Sequence, residues 1–345
     1  MIVRSKAPLR IGLAGGGSDV SPYSEQFGGY VLNATIGLYA HCTIETLNYK
    51  KTIFDAKDIG VYWEDEAKPK YDLSGDLVLH KAIYNRVVSM FNEGSPLNVR
   101  VITFVDAPPG SGLGSSSTMV VAILSAYREL LNLPLGEYDL AHLAFEIERV
   151  DCGLAGGKQD QYAATFGGFN FIEFYKNDRV IVNPLRIRRS IINELEAQLV
   201  IFYTGQSRES AKIIGDQIDL VSYGDGSALE AMHKVKETAW SMKEALLKSN
   251  IDKMAELLGE SWNAKKGTSS SVTNQFIEKI YGRAMRAGAN SAKVSGAGGG
   301  GFMIFFVEPT KRIEVEKVLA SFCNSNGTFI YKINFTEKGV ETWKI

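Results

Sequence analysis

The sequence predicts an α+β protein with two domains. Its 345 residues exceed the length at which a single hydrophobic core usually keeps growing. The first half alternates strand patterns with helix patterns, whereas the second half is rich in helices. The second half finishes in the order strand, strand, helix, strand, which is typical of a ferredoxin-like sandwich. We place the boundary near residue 185, so the predicted domains are residues 1–185 and 186–345.

Strands dominate the early part of the chain. Apolar residues at every second position in 30–47 predict one long half-buried strand or two strands with a bend. Polar turns then separate two shorter strand patterns at 52–54 and 61–63. This order predicts a meander of strands.

The rest of the chain alternates apolar helical stripes with β-branched runs. In the first half we expect helices at 80–91, 120–131 and 140–150, and strands at 99–105 and 169–175. In the second half we expect a strand at 199–203, helices at 228–248, 251–264 and 274–287, strands at 291–294 and 302–307, a helix at 312–322 and a last strand at 329–335.

The overall composition excludes several classes of protein. The 38 basic and 39 acidic residues nearly cancel, so no overall field would attract nucleic acid or an anionic membrane. The N-terminus lacks the features of a signal peptide and no stretch is apolar for long enough to span a bilayer. Cys42, Cys152 and Cys323 have no spacing typical of a disulfide framework or a zinc site. We therefore expect a cytoplasmic protein that binds anions only locally.

The most informative segment is a glycine- and serine-rich loop between a predicted strand and a predicted helix. The first N–H groups of a helix lack intrahelical partners and the helix dipole is positive there, so such a loop can bind a polyphosphate. It matches neither a Walker A loop nor a dinucleotide-binding fingerprint. A helix N-cap with a flexible turn is the alternative. The candidate phosphate-binding residues are Pro109, Gly110, Ser111, Gly112, Leu113, Gly114, Ser115, Ser116 and Ser117.

A second glycine cluster lies at 293–302, between two apolar strand patterns, and includes Gly298 and Gly299. A run of glycines at this place permits a close backbone approach to a ligand or to another loop. A glycine-rich hairpin without a ligand is the alternative.

In a third segment, residues 7–20, one cationic and one carboxylate side chain flank a stretch of small residues that includes Gly16, Gly17 and Ser18. Arg10 could offset charge on a transferring phosphoryl group, and Asp19 could accept hydrogen bonds from sugar hydroxyls. A solvated arginine and a helix-capping aspartate are the alternatives.

These three segments together resemble the signature motifs of the GHMP kinases, the family of galactokinase, homoserine kinase and mevalonate kinase, in the same order along the chain. The resemblance implies an N-terminal domain of the ribosomal protein S5 domain 2-like type, with a left-handed βαβ unit. It also implies a ferredoxin-like C-terminal domain, an active site between the two domains, and ATP and Mg²⁺ as cofactors.

The resemblance also assigns roles to single residues. Ser116 matches the serine that binds magnesium, and Glu148 matches the second metal ligand, with Glu146 as the fallback and a surface salt bridge as the alternative. Asp160 matches the general base, a role that suits a carboxylate within reach of a sugar hydroxyl. Arg10 would stabilise that carboxylate and the developing charge, and Lys158 would be a further substrate contact.

Residues 12–23 distinguish among members of the family, because they lack the Gly-Glu-His form of galactokinases and mevalonate kinases. They resemble the bacterial D-glycero-D-manno-heptose 7-phosphate kinases and, less closely, the kinase domains of fucokinases. The heptose resemblance implies phosphorylation of the anomeric hydroxyl of heptose 7-phosphate, giving the 1,7-bisphosphate. It requires a second anion site, for which Arg208, Lys265 and Lys266 are candidates. For the two lysines a solvated helix end is the alternative.

Other functions stay open on the sequence alone. One is an L-fucokinase or other neutral-sugar 1-kinase, which would not need the second anion site. Another is a non-catalytic protein that binds a nucleotide or sugar on the same fold. The expected partners are ATP and a sugar phosphate, with no nucleic acid and no membrane, and a homodimer is compatible with the sequence. Tyr62 and Trp63 could flank adenine, although core packing is the commoner use of such residues.

Overall fold

The computed structural model describes residues 1–206, 210–222, 226–323 and 327–345, and it contains two β-sheets. The first half of the chain contributes seven strands and five helices. The strands are β1 (Ile2–Ala14), β2 (Gly29–Thr46), β3 (Lys51–Ala56), β4 (Val61–Glu66), β5 (Val99–Val105), β6 (Phe169–Phe174) and β7 (Val180–Pro184). The helices are α1 (Tyr23–Phe27), α2 (Val78–Phe91), α3 (Ser115–Leu131), α4 (Glu137–Glu146) and α5 (Gln159–Phe166), with a π-helical turn at Ile147–Asp151.

The second half of the described chain is richer in helices. Its helices are α6 (Arg189–Gln198), α7 (Ser210–Ser222), α8 (Gly226–Leu247), α9 (Ile251–Lys266), α10 (Gln275–Arg286) and α11 (Arg312–Ala320). Its strands are β8 (Leu199–Tyr203), β9 (Ala289–Val294), β10 (Phe302–Val307), β11 (Phe329–Tyr331) and β12 (Glu341–Lys344).

The strand β2 organises the first sheet. It pairs with β1 along most of its length, with β6 near its start and with β5 near its end. Of the two alternatives that the sequence left open, the structure therefore has one continuous strand. The β1–β2 register shifts between Pro8 and Arg10, and such an irregularity re-aims the side chains next to it.

One pair of strands in the first sheet is parallel. β3 and β5 run in the same direction, and the chain between them passes through β4 and α2. This connection supplies a βαβ unit, as the family resemblance implied. Its left-handed sense stays a prediction.

The second sheet has the strand order β11-β8-β10-β9, with antiparallel neighbours. Numbered along the chain, this order is 4-1-3-2, with helices between the first and second strands and α11 between the third and fourth. The predicted ferredoxin-like sandwich is confirmed.

The two sheets share a hydrophobic core. Leu9 and Ile11 of β1 belong to the same buried cluster as Ile201 of β8, Ile304 of β10 and Met242 of α8. Apolar contacts of this extent hold the two halves together, because each half would otherwise expose a large apolar face to water. The segments that emerge at this junction are consequently fixed relative to one another.

Some elements were not predicted. No helix or strand was expected from the sequence in the segments of α5, α6, α7 and β7. The helix α5 is rich in glutamine and small residues and forms because it packs against α3 and α4, so tertiary contacts override a weak local signal. The three cysteines are free, and within the described ranges no helix combines the length and apolar character that a membrane span requires.

The end of the chain returns to the first sheet, which the sequence did not indicate. β12 pairs antiparallel with β1, with Val3 opposite Lys344. Just before it, Thr336 donates its N–H to the Thr35 carbonyl at 3.0 Å. The chain passes from the first sheet to the second between β7 and β8, near residue 185. The predicted second domain, residues 186–345, nevertheless ends with β12, which belongs to the first sheet. The domain boundaries stay a prediction.

We expect Gly339→Ala to lower the free energy of unfolding by about 2 kcal/mol, because overpacking typically costs 1–3 kcal/mol. A Cβ at Gly339 would lie 1.9 Å from the Thr165 carbonyl oxygen, at the end of α5. Chemical denaturation would measure the change. Gly215→Ala is the control, since among the described residues no atom outside its chain neighbours and the backbone of its own helix lies within 4 Å of its Cβ position, and alanine favours a helix. Equal stability of the two variants would contradict the close packing at Gly339.

Candidate active site

The three glycine-containing segments singled out in the sequence meet in space. A Cβ at Gly112 would lie 2.6 Å from the Ser295 carbonyl oxygen, and one at Gly296 would lie 2.8 Å from the Gly112 carbonyl oxygen. The N–H of Phe302 donates to the Ser111 carbonyl at 2.9 Å. Both glycines have positive φ angles, 77° and 75°. The glycine cluster therefore packs backbone to backbone against the phosphate-binding loop. Of the two close approaches that its composition allowed, to a ligand or to another loop, the structure shows the second.

The phosphate-binding loop leads directly into α3. Gly114 is the N-cap residue with φ 76°, and the first turn carries serines and no acidic residue. The unpaired N–H groups and the positive end of the helix dipole are thus unopposed by a carboxylate on the same turn. This arrangement suits a polyphosphate.

A cleft of about 280 Å³ lies beside this helix end, and residues from both halves line it. The predicted site residues in its wall are Arg10, Gly16, Gly17, Asp19, Gly110, Gly112, Gly114, Ser115, Ser116, Ser117, Glu148, Asp160 and Lys265. Residues that the sequence analysis did not assign also line it, among them Arg149, Gln159 and Gln217. Arg208 lies outside the described residues.

Arg10 and Asp160 form the central ion pair of the cleft. The Arg10 Nε and Nη2 atoms both contact Asp160 Oδ1, at 2.7 and 2.6 Å, and Nη1 donates to the Gly112 carbonyl at 2.7 Å. A Cβ at Gly114 would lie 3.0 Å from Asp160 Oδ2, so this oxygen is held against the phosphate-binding loop. The ion pair thus fixes one carboxylate oxygen of Asp160 and leaves the other oxygen beside the N-terminal start of α3.

Glu148 and Ser116 form a second polar pair. The Ser116 hydroxyl donates to Glu148 Oε1 at 2.6 Å, and Gln161 Nε2 donates to Oε2 at 2.7 Å. Glu148 is 1% exposed and sits in the π-helical turn, a feature often found at functional sites. Arg149 Nη1 lies 3.4 Å from Oε1. Carboxylate and hydroxyl oxygens are the kind of donors that could hold a divalent cation.

Glu146, the fallback for Glu148, lies elsewhere. Its carboxylate forms an ion pair with Arg86 Nη1 at 3.2 Å and lies 3.7 Å from His142. The geometry therefore favours Glu148 as the carboxylate of the cleft, whereas Glu146 forms a surface salt bridge.

Asp19 lines the cleft but is heavily hydrogen-bonded within the protein. It accepts from the Gly17 N–H at 3.0 Å and from the N–H and side-chain amide of Gln159, both at 3.1 Å. A Cβ at Gly157 would lie 1.9 Å from Asp19 Oδ2, so this approach requires glycine. Asp19 thereby fastens the start of α5, the helix that carries Asp160.

Several predicted substrate contacts do not line the cleft. Lys158, the N-cap residue of α5, pairs through its Nζ with Glu25 at 3.1 Å and with Asp178. The Ser18 hydroxyl donates to the Gly15 carbonyl at 2.8 Å. The Gly299 N–H donates to the Val272 carbonyl at 2.7 Å, and Gly298 packs on the same residue. The phosphate-loop residues Pro109, Ser111 and Leu113 likewise support the loop without facing the cleft.

Lys265 is buried in the cleft wall instead of lying at a solvated helix end. It is 3% exposed, and its Nζ donates to the Gly296 carbonyl at 2.6 Å and the Gly16 carbonyl at 3.1 Å. Burial lowers the pKa of Lys265 to about 8, with Asp19 and Asp160 opposing the shift. A signal for this was present, since Lys265 follows Met254, Leu258 and Trp262 on the apolar stripe of α9.

The neighbouring cations differ from Lys265. Lys266 lies 3.8 Å from Glu278 and does not line the cleft. Lys293 is buried behind the cleft, and its Nζ donates to the Gly12 and Leu13 carbonyls at 2.9 and 3.3 Å. Burial holds the pKa of Lys293 well below its usual value, and the nearby charges of Lys265 and Arg10 act in the same direction.

The aromatic residues suggested for adenine have other surroundings. Trp63 stacks on Phe54 with ring centroids 5.1 Å apart, so it packs against the core. Tyr62 is exposed and its hydroxyl donates to Glu64. An adenine site at these residues stays a prediction that this packing does not favour.

Comparison with known proteins identifies the family of this chain. The family model for the GHMP kinases N-terminal domain matches residues 79–168, and that for the GHMP kinases C-terminal domain matches residues 242–325. The chain belongs to the GHMP kinase family. The predicted family and two-domain α+β fold are thus confirmed, and membership of a kinase family makes ATP a substrate of the protein.

Individual relatives cover the chain to different extents. It is 49% identical, over 99% of both chains, to a D-glycero-alpha-D-manno-heptose 7-phosphate kinase of Campylobacter jejuni. A crystal structure described as a D-glycero-D-manno-heptose 1-phosphate kinase from Bacteroides thetaiotaomicron superimposes with a TM-score of 0.83, at 45% identity and 99% coverage of both chains. A bifunctional fucokinase/GDP-fucose pyrophosphorylase of Arabidopsis thaliana is 26% identical over 88% of this chain and 30% of its own length.

Proposed function

We propose that this kinase transfers the γ-phosphoryl group of ATP to the anomeric hydroxyl of D-glycero-D-manno-heptose 7-phosphate, giving the 1,7-bisphosphate. The observation that carries the chemistry is the Asp160 carboxylate, which Arg10 holds against the phosphate-binding loop. The choice of sugar rests on the 49% identity to a heptose 7-phosphate kinase over the full chain.

The residues of the cleft have different roles in the phosphoryl transfer. Asp160 accepts the proton of the sugar hydroxyl as its oxygen bonds to the γ-phosphorus. The bond from that phosphorus to the β–γ bridging oxygen breaks, and ADP leaves with the electron pair. The N–H groups at the start of α3 bind the phosphates. Arg10 offsets charge that develops during the transfer.

The residues present fit a magnesium ion. Glu148 offers a buried carboxylate and Ser116 a hydroxyl oxygen at the same spot, and hard oxygen donors together with phosphates are what Mg²⁺ prefers. We propose that these two residues hold the ion. When bound, Mg²⁺ would neutralise charge on the phosphates of ATP.

The identity of the acceptor is the finer part of the proposal. The names of the two heptose relatives differ in which phosphate they mention, and the fucokinase relative leaves a neutral sugar as the second candidate. A distal phosphate site at Arg208 or Lys265 stays a prediction, whereas Lys266 pairs with Glu278 and does not line the cleft. A cytoplasmic location and a homodimer stay predictions as well.

The test is ATP consumption by the purified protein with magnesium and a panel of acceptors. We expect turnover with heptose 7-phosphate and little with heptose 1-phosphate, L-fucose, mannose, galactose or mevalonate. Phosphorus NMR of the product would locate the new phosphate at the anomeric carbon. Turnover confined to an unphosphorylated sugar would replace the heptose proposal, and the absence of turnover with every acceptor would favour a binding protein.

A further inference from the structure

We propose that the Lys265 ammonium group contacts the transferring phosphoryl group, as a second cation beside Arg10. The inference rests on the proposed phosphoryl transfer, but not on which sugar accepts it. It gives Lys265 a catalytic role at the reacting centre, in place of the distal phosphate site for which its sequence position made it a candidate.

The position of Lys265 is the first argument. Its side chain comes from α9, in the second half of the chain, and ends between the Gly16 and Gly296 carbonyls. Gly296 packs on Gly112 of the phosphate-binding loop, whereas Gly16 belongs to the segment expected to face the acceptor. The ammonium group therefore lies where the phosphate side and the acceptor side of the cleft meet.

The donor geometry is the second argument. An ammonium group has three N–H donors and no acceptor. Two of these donors are directed to main-chain carbonyls, which fix the group in place. Because Lys265 also lines the cleft, its third donor is available to an oxygen atom of a bound molecule.

The electrostatic surroundings are the third argument. The charged groups that act on Lys265 are Asp19 after β1, Arg10 of β1 and Asp160 of α5, and the buried Lys293 of β9, whose own pKa is held well below its usual value, lies nearby. Burial disfavours the charged form of Lys265, and Arg10 adds to this effect. An anion in the cleft, such as the terminal phosphate of ATP, would stabilise the charged ammonium group.

The pH dependence should report on this cation. Burial lowers the pKa of Lys265 to about 8, so rising pH removes its proton within a range that assays can reach. If the charge is needed, kcat/KM for ATP falls about tenfold per pH unit above pH 8. In Lys265→Arg the fall should move to higher pH, because guanidinium stays charged. A fall in the wild-type profile that keeps the same midpoint in Lys265→Arg would belong to another group and would count against the proposal.

The variants Lys265→Met and Lys266→Met form a matched pair, since the two residues are adjacent and only the first lines the cleft. We expect Lys265→Met to lower kcat by about 10²-fold, a typical loss for one preorganised electrostatic group. Lys266→Met should stay within about twofold of the wild type. A higher KM for the acceptor with unchanged kcat would instead make Lys265 a ligand of the distal phosphate and overturn the proposal.

A second measurement does not depend on the acceptor. Inorganic tripolyphosphate mimics the phosphates of ATP, and calorimetry would give its affinity for the wild type and both variants. We expect about tenfold weaker binding to Lys265→Met and no change for Lys266→Met, in line with the loss of one charged hydrogen bond. If the wild type phosphorylates none of the sugars, the proposed function fails, and this comparison alone decides the role of Lys265. Equal affinities would then reject it.

Discussion

Asp160→Asn should lower kcat by about 10³-fold, the largest effect expected of any single change in the cleft. Asparagine keeps the shape of the side chain and can still accept a hydrogen bond from Arg10, but its amide is not a base. General base catalysis contributes about 10²–10⁴-fold to such reactions. Initial rates at saturating ATP and acceptor would measure the loss, while ATP affinity should change little because the phosphate-binding loop is intact.

Asp178→Asn is the matched control for this experiment. Asp178 is exposed, pairs with Lys158 outside the cleft and has φ 53°, a conformation that asparagine also tolerates. We expect its rate to stay close to that of the wild type. If Asp160→Asn kept more than about a tenth of wild-type kcat, a base role for Asp160 would be wrong and the carboxylate would serve only to position Arg10.

Glu148→Gln is expected to have the second largest effect, about a 10²-fold loss of kcat together with a higher magnesium requirement. The change removes the negative charge that we propose to hold Mg²⁺ beside Ser116, while keeping the volume of a side chain that is 1% exposed. Rates measured across a magnesium titration at fixed ATP would separate a weaker metal site from a general loss of activity. Raising the magnesium concentration should recover part of the rate.

Glu146→Gln is the control for Glu148→Gln, since both residues lie in one helical segment and Glu146 pairs with Arg86. It should leave the magnesium dependence unchanged and alter stability by less than about 1 kcal/mol. Equal magnesium curves for Glu148→Gln and the wild type would show that the metal is held elsewhere. Melting temperatures of both variants would exclude unfolding as the cause of a lost rate.

The contrast between Glu148 and Glu146 illustrates where sequence reasoning reaches its limit. Motif matching assigned the metal-binding carboxylate to Glu148 but kept Glu146, two positions earlier, as a fallback. The π-helical turn at Ile147–Asp151 changes the helical phase locally. Glu148, within this turn, lines the cleft, whereas Glu146 before it does not, and the sequence pattern does not reveal which face of the helix meets the cleft.

The lysines illustrate the same limit. Lys158 is two positions from Asp160 in sequence, but it pairs with Glu25 and does not line the cleft. Lys265 is remote in sequence but enters the cleft from the buried face of α9. The charged residue on an apolar stripe therefore gave the lysine that lines the cleft, and the substrate contact assigned to Lys158 stays a prediction.

The sequence alone determined the order of most strands and helices, the ferredoxin-like order at the end and the three glycine-containing segments. These features depend on local properties: the period of apolar residues, the conformational freedom of glycine and the free N–H groups of a helix start. Only the tertiary structure decided which polar side chains share the cleft, how tightly the loops meet at Gly112 and Gly296, and that the chain end returns to β1. These depend on the direction in which each helix face packs against the core shared by the two sheets, and no local pattern specifies that direction.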